Sequence, residues 1–130
     1  MKSNTKTFFL FVVLIFIDQI SKYLSSNFVC NKNIAWSIPI APAIFCFVWI
    51  AVVGFLVYLF FKTKSYHQKI FLILVLSGAI SNVIDRLRFG CVIDYIDLKF
   101  WPVFNLADVY ITIGIALIIL NVMRNKNTKY

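Results

Sequence analysis

The chain has 130 residues, of which 62% are hydrophobic and only 14% charged. A soluble domain carries about a quarter charged residues, enough to cover a globule in water. This chain cannot do that, so a water-soluble fold is excluded and a single integral membrane domain over 1–130 is expected. The net charge is +8, and its Lys and Arg lie in short segments between apolar runs, as orientation signals do, which argues against a nucleic-acid partner.

Four apolar runs follow in order, at about 7–24, 43–61, 70–87 and 104–123. Each has the length needed to cross ~30 Å of hydrocarbon at about 1.5 Å per residue. The expected fold is therefore an all-α membrane protein. It has four transmembrane helices and a small extended, β-like element at the membrane surface. The first run, "FFLFVVLIFI" behind Lys2 and Lys6, resembles a secretory signal. No small-residue cleavage site follows it, and "DQISKYL" continues the helix, so it reads as a retained span.

Between the first two runs, "SSNFVCNKNIAWSIPIAP" is too rich in Ser, Asn and Pro for one continuous helix. After the third run Gly90 breaks the helix, and "CVID" reads as a short strand or reentrant segment. Trp36, Tyr95 and Trp101 suit an interfacial aromatic belt. Cys30 and Cys91 can meet only if both face one compartment. Spacing does not show pairing, and the expectation is that they stay apart. With one histidine, His67, remote from every Asp, no metal site is expected.

One side of the predicted topology holds Lys2, Lys6, Lys62, Lys64, Lys69, Arg124, Lys126 and Lys129. The other holds Lys22, Lys32, Arg86, Arg88 and Lys99. The more basic side is expected in the cytoplasm, with both termini. All five acids, Asp18, Asp85, Asp94, Asp97 and Asp108, then fall on the outer face. Acids contribute little to orientation, so their segregation needs a functional reason.

Asp94 and Asp108 are two carboxylates in apolar surroundings. Two such groups close together cannot both ionise freely, so the pair offers a base and an acid. Alternatively each caps a helix or pairs with Arg86 or Arg88. Spacing alone leaves Asp85 open as the partner of Asp108. In "FNLAD", Asn105 and Asp108 stand at i and i+3, where the Asn amide can hold the carboxylate or mark a helix start. Asn82 and Asp85 repeat that spacing, with Arg86 adjacent. In "DQISK", Asp18 and Lys22 at i and i+4 form an acid-first helical pair, read as support for the site. Ser77, Gly78, Ala79 and Ser81 form a small-residue patch suited to close helix packing.

These pieces together resemble the signal peptidase II family, the bacterial lipoprotein signal peptidases. The matching stretches, in order, are "DQISK" at 18–22, "NKNIAW" at 31–36, "SGAISNVIDR" at 77–86, "GCVIDY" at 90–95 and "FNLAD" at 104–108. The resemblance implies a cofactor-free aspartic endopeptidase of the bacterial inner membrane. Its catalytic pair would be Asp94 and Asp108. Asn31, Asn82, Arg86 and Asn105 would line or brace the site, and Asp18, Lys22 and Asp85 would support it. The implied substrates are diacylglyceryl prolipoproteins, cut just before the lipidated cysteine. The implied partners are membrane lipid and substrate, with the chain acting as a monomer. Asn33 stands where the family usually has Gly, Ile34 where it often has a small residue, and Ser77 and Ser81 where it usually has Gly. A proton-coupled transporter subunit and a non-enzymatic scaffold are the alternatives. The first predicts acids spread through the membrane depth; the second predicts that Asn substitutions lower stability without removing activity.

Overall fold

Each of the four apolar runs forms a helix in the computed structural model, which describes residues 2–32 and 42–127. The helices are α1 (Lys2–Leu24), α2 (Pro42–Lys62), α3 (Tyr66–Phe89) and α4 (Leu106–Asn127). Two short strands, β1 (Val29–Asn31) and β2 (Val92–Asp94), follow α1 and α3. Trp36, Asn33 and Ile34 lie outside the described residues.

Among the described residues three helices are long and apolar enough to cross a membrane: Asn4–Leu24, Tyr66–Phe89 and Leu106–Lys126. The described apolar part of α2, Cys46–Lys62, is shorter. The four-span expectation is thus met for three helices, and the crossing of α2 is a proposal.

The bundle is built around α3, against which α1, α2 and α4 pack. Its buried face runs through Leu72, Ile73, Val75, Leu76, Ser77, Gly78, Ser81 and Asp85. That recurrence follows the helical period of 3.6. Phe8, Phe9 and Phe16 of α1 and Ile119, Leu120 and Met123 of α4 point outward, where lipid would solvate them. Lipid tails do not drive apolar helices together, so close backbone approach must do so through dispersion contacts. Gly78 supplies it: a Cβ there would collide with the carbonyl oxygen of Ala107 and with Ile111. Gly114 of α4 is pressed in the same way against Val75 and the Phe71 carbonyl. Within the small-residue patch, Gly78 packs against α4 and Ser81 faces α1.

At the end of α3, Gly90 takes a left-handed conformation (φ 72°) and its N–H donates to the Arg86 carbonyl at 3.0 Å. Glycine adopts this backbone without a Cβ penalty, so the chain turns sharply into β2. β1 and β2 pair antiparallel, with Val29 opposite Asp94, Cys30 opposite Ile93 and Asn31 opposite Val92. A disulfide joins Cys30 to Cys91, with Cα atoms 5.4 Å apart. This corrects the expectation that the two cysteines stay apart. β pairing across 61 residues of chain brings them together, which spacing could not reveal. Cys46 is a free thiol on the exposed surface of α2.

After β2 the chain makes a second turn. Phe104 exchanges hydrogen bonds with Ile96, and its carbonyl also accepts from the Tyr95 N–H. Those bonds hold Phe104 extended, so α4 starts at Leu106 rather than at 104 as expected. The Tyr95 hydroxyl donates to Ser21 Oγ of α1 at 2.6 Å. Trp101 is half-exposed.

Candidate active site

The C-terminal ends of α1 and α3, the N-terminus of α4 and the strand β2 meet at one end of the bundle. Local sequence fixes the start of α4. Asn105 is its cap: Asn105 Oδ1 accepts from the Asp108 N–H at 2.9 Å, and Asp108 Oδ2 accepts from the Asn105 N–H at 3.2 Å. This reciprocal pair is a capping box with Asn and Asp in the two roles. It satisfies two helix-end donors and aims Asp108 back over the helix start.

Asn105 thus holds the Asp108 carboxylate through its backbone N–H, and its side-chain NH2 group turns elsewhere. It donates to Asp94 Oδ1 at 2.7 Å, with Asn82 Oδ1 at 3.1 Å and the Ile93 carbonyl at 3.3 Å. Asn82 of α3 in turn donates its amide to Asp108 Oδ1 at 2.8 Å. Asp94, Asn105, Asn82 and Asp108 therefore form one chain of hydrogen bonds. Asn31 of β1 donates to the other oxygen of Asp94 at 3.0 Å. Each carboxylate thus has its orientation set by neutral amide donors.

Asp94 is 3% exposed. Burial pushes its carboxyl up to about 6, with the Asn31 hydrogen bond opposing and the nearby Asp108 charge adding to the rise. Asp97 differs. It lies exposed in the following turn, where the Lys99 ammonium and N–H hold its carboxyl below the usual range. It belongs to no part of the site. Lys99 itself adopts a left-handed backbone (φ 69°), held by that Asp97 side chain.

Behind the two carboxylates lies a buried ionic layer. Lys22 Nζ is 2.7 Å from Asp18 Oδ2 and 2.7 Å from Asp85 Oδ2. It also donates to Asn82 Oδ1 at 3.0 Å. Asp18 accepts from Ser81 Oγ at 2.6 Å and from the Ala107 N–H at 2.7 Å. Asp85 accepts from Gln19 at 2.8 Å and from the Ile93 N–H at 3.2 Å. Buried charges persist only when paired and hydrogen-bonded, as all three are here. The layer links the first turn of α4 and the backbone of β2 to α1 and α3. Asp85 is a brace occupied on both oxygens.

Arg86 donates to the Lys32 carbonyl at 3.4 Å and faces the charges of Asp94, Asp108 and Asp85. Sequence reasoning missed Gln19, Ser81 and Tyr95 as bracing residues. Gln19 and Ser81 sit inside the matching stretches "DQISK" and "SGAISNVIDR", which is the signal that could have found them. Among the described residues no group of three or more His, Cys, Asp or Glu is placed to hold a metal ion.

The family model for signal peptidase (SPase) II matches residues 10–124. The chain belongs to the signal peptidase II family. All five stretches quoted above fall within that match, and membership makes the protein a peptidase. The lipoprotein signal peptidase of Thermodesulfovibrio yellowstonii is 36% identical over 138 aligned positions, covering 88% of this chain and 92% of that relative. That of Halothermothrix orenii is 42% identical over 96 residues, covering 72% of this chain and 66% of the relative. A bacterial membrane enzyme solved by the in meso method superposes with a TM-score of 0.86 at 28% identity, covering 97% of this chain and 92% of that one.

Proposed function

We propose that this family member is an aspartic endopeptidase that removes the signal peptide from diacylglyceryl-modified prolipoproteins, cutting just before the lipidated cysteine. Asp94 and Asp108 are the catalytic pair in this reading. The observation that carries it is the hydrogen-bonded chain Asp94–Asn105–Asn82–Asp108. It presents two carboxylates together, each oriented by amides and, among the described residues, neither in an ion pair. The relatives' name, lipoprotein signal peptidase, supports the substrate class.

The chemistry follows from the pair. One carboxylate, ionised, takes a proton from a water molecule, and that water attacks the scissile carbonyl carbon. The other, protonated, donates to the carbonyl oxygen as negative charge develops there. The proton gained by the first carboxylate then passes to the leaving amine as the C–N bond breaks. Burial of Asp94 favours the shared-proton state near neutral pH. The remaining residues orient: Asn31, Asn82 and Asn105 hold the carboxylates, and Lys22, Asp18 and Asp85 hold Asn82 and the backbone of β2 and α4.

In this reading the chain spans the inner membrane four times as a monomer, with both termini cytoplasmic and the acidic end outward. Substrate approaches sideways from the bilayer with its acyl chains still in lipid. The test is cleavage of a diacylglyceryl prolipoprotein by purified protein in detergent. Asp94→Asn and Asp108→Asn are each expected to abolish turnover while remaining folded. Retained turnover in either variant overturns the assignment of that residue.

A further inference from the structure

β1 and β2 have three residues each. A two-stranded ribbon this short is not stable by its backbone bonds alone. Yet its register matters to the site. Successive side chains of a strand point to opposite faces, so a slip of one residue would turn Asn31 away from Asp94. Asn31 stands opposite Val92 and reaches Asp94 diagonally, two residues along β2. Cys30, its neighbour in β1, points to the other face and is joined there to Cys91, the residue just before β2. The ribbon is thus tied twice, once covalently and once through the amide that holds the Asp94 carboxyl.

We propose that the Cys30–Cys91 disulfide is a positioning element for Asp94: it locks the β1–β2 register that places the Asn31 amide on that carboxylate, so full peptidase activity requires the oxidised chain. Cys91 is buried, whereas Cys30 is exposed, so a small thiol can reach the bridge from the Cys30 side. Reduction consumes two equivalents of thiol: the S–S bond breaks, Cys30 and Cys91 gain one hydrogen each, and the reductant leaves as its own disulfide. The inference rests on the reading of Asp94 as catalytic.

Loss of the bridge acts on chemistry rather than on substrate binding. An amide donor stabilises the ionised carboxylate, and without it Asp94 ionises less readily. The other groups facing Asp94 stay in place: Lys22 from α1, Asp85 and Arg86 from α3, and Asp108 and Asn105 from α4 and its cap. The apparent pKa values of the pair then move upward, whichever member holds the proton.

The experiment compares three proteins in detergent: wild type and Asn31→Ala, each with and without reduction by a small thiol that is then removed, and Cys30→Ser/Cys91→Ser. Thiol titration of denatured wild type should rise from one to three on reduction, since Cys46 is already free. Reduction and the double substitution should each lower kcat roughly tenfold, the effect of one lost hydrogen bond to a charged group, with KM little changed. The acid limb of the pH–rate profile should move to higher pH. Reoxidation should restore both, and reduction of Asn31→Ala should add little to that variant's own loss. Unchanged kcat and pH profile on reduction overturn the proposal. So does a loss in kcat that leaves the pH profile fixed and adds in full to that of Asn31→Ala, because the bridge would then serve general stability. If the double-Ser protein does not fold, reversible reduction of the folded wild type decides. Turnover by Asp94→Asn would instead remove the underlying site reading, an outcome distinct from these.

Discussion

Asn105 donates its side-chain amide to Asp94 at 2.7 Å while its amide oxygen caps the helix that carries Asp108. One residue therefore joins the two carboxylates and starts α4. These two tasks can be separated. Asn105→Ser keeps a good helix cap and loses the amide, so stability should change by less than ~1 kcal/mol. Turnover should fall about ten- to a hundredfold, as expected for a lost bond to a charged group. Asn105→Ala should lose stability as well. Thermal unfolding beside a prolipoprotein cleavage assay distinguishes the two variants, and equal stability loss in both would remove the division of labour.

Lys22 is the only cation bonded to Asp18 and Asp85 among the described residues. Lys22→Met leaves two buried carboxylates uncompensated, which costs on the order of 3–5 kcal/mol. Adding Asp18→Asn and Asp85→Asn to Lys22→Met should recover part of that stability, because the orphaned charges are gone. The midpoint of thermal unfolding in detergent reads this directly. No recovery in the triple variant would mean that the layer stabilises by shape and hydrogen bonding rather than by charge balance.

Asp94 carries a carboxyl raised to about 6 from an ordinary value of 3.8. Between those values the folded chain binds more of this proton than the unfolded chain does. Stability contributed by Asp94 therefore falls as pH rises through that window and is flat above it. Wild type should lose stability relative to Asp94→Asn between pH ~4 and pH ~7. Unfolding temperatures of both proteins at the two ends of the window test the sign; a constant difference would show that Asp94 is not shifted.

Gly78 allows α3 to touch the first turn of α4 at Ala107, one residue from Asp108. The nearest obstacle is the Ala107 carbonyl, part of the backbone, which cannot swing aside as a flexible side chain can. Gly78→Ala should cost about 1–3 kcal/mol through overpacking and should lower turnover by displacing Asp108. Gly54 on α2 has open space around its Cβ position, so Gly54→Ala serves as the tolerated control in the same unfolding and cleavage assays.

Much of this architecture was legible in the linear chain, for local reasons. Apolar runs of bilayer length can only be helices or closed barrels in lipid, and Gly90 marks a helix end wherever it needs a left-handed turn. Alternation of spans then brings Asp18, Asp85 and Asp108 to one end without knowledge of any contact. The Asn105–Asp108 spacing likewise signals a helix start, because a capping box is closed within four residues. The motif match carried the choice of Asp94 over Asp85, which spacing had left open.

What only the tertiary structure decided is which partner each of these groups takes. The Asn105 amide turns to Asp94 because β2 lies across the end of α4 and Asp108 is already held by Asn82 and by the Asn105 backbone. Lys22 reaches Asp85 because α1 and α3 pack closely through Ser81 and Gln19. Cys30 meets Cys91 because two strands on opposite sides of α2 and α3 in the chain come to pair. Helical and strand periodicity act over a few residues and show which face a side chain occupies. Contacts across about sixty residues depend on helix packing and strand register, which arise only when all the elements settle against α3.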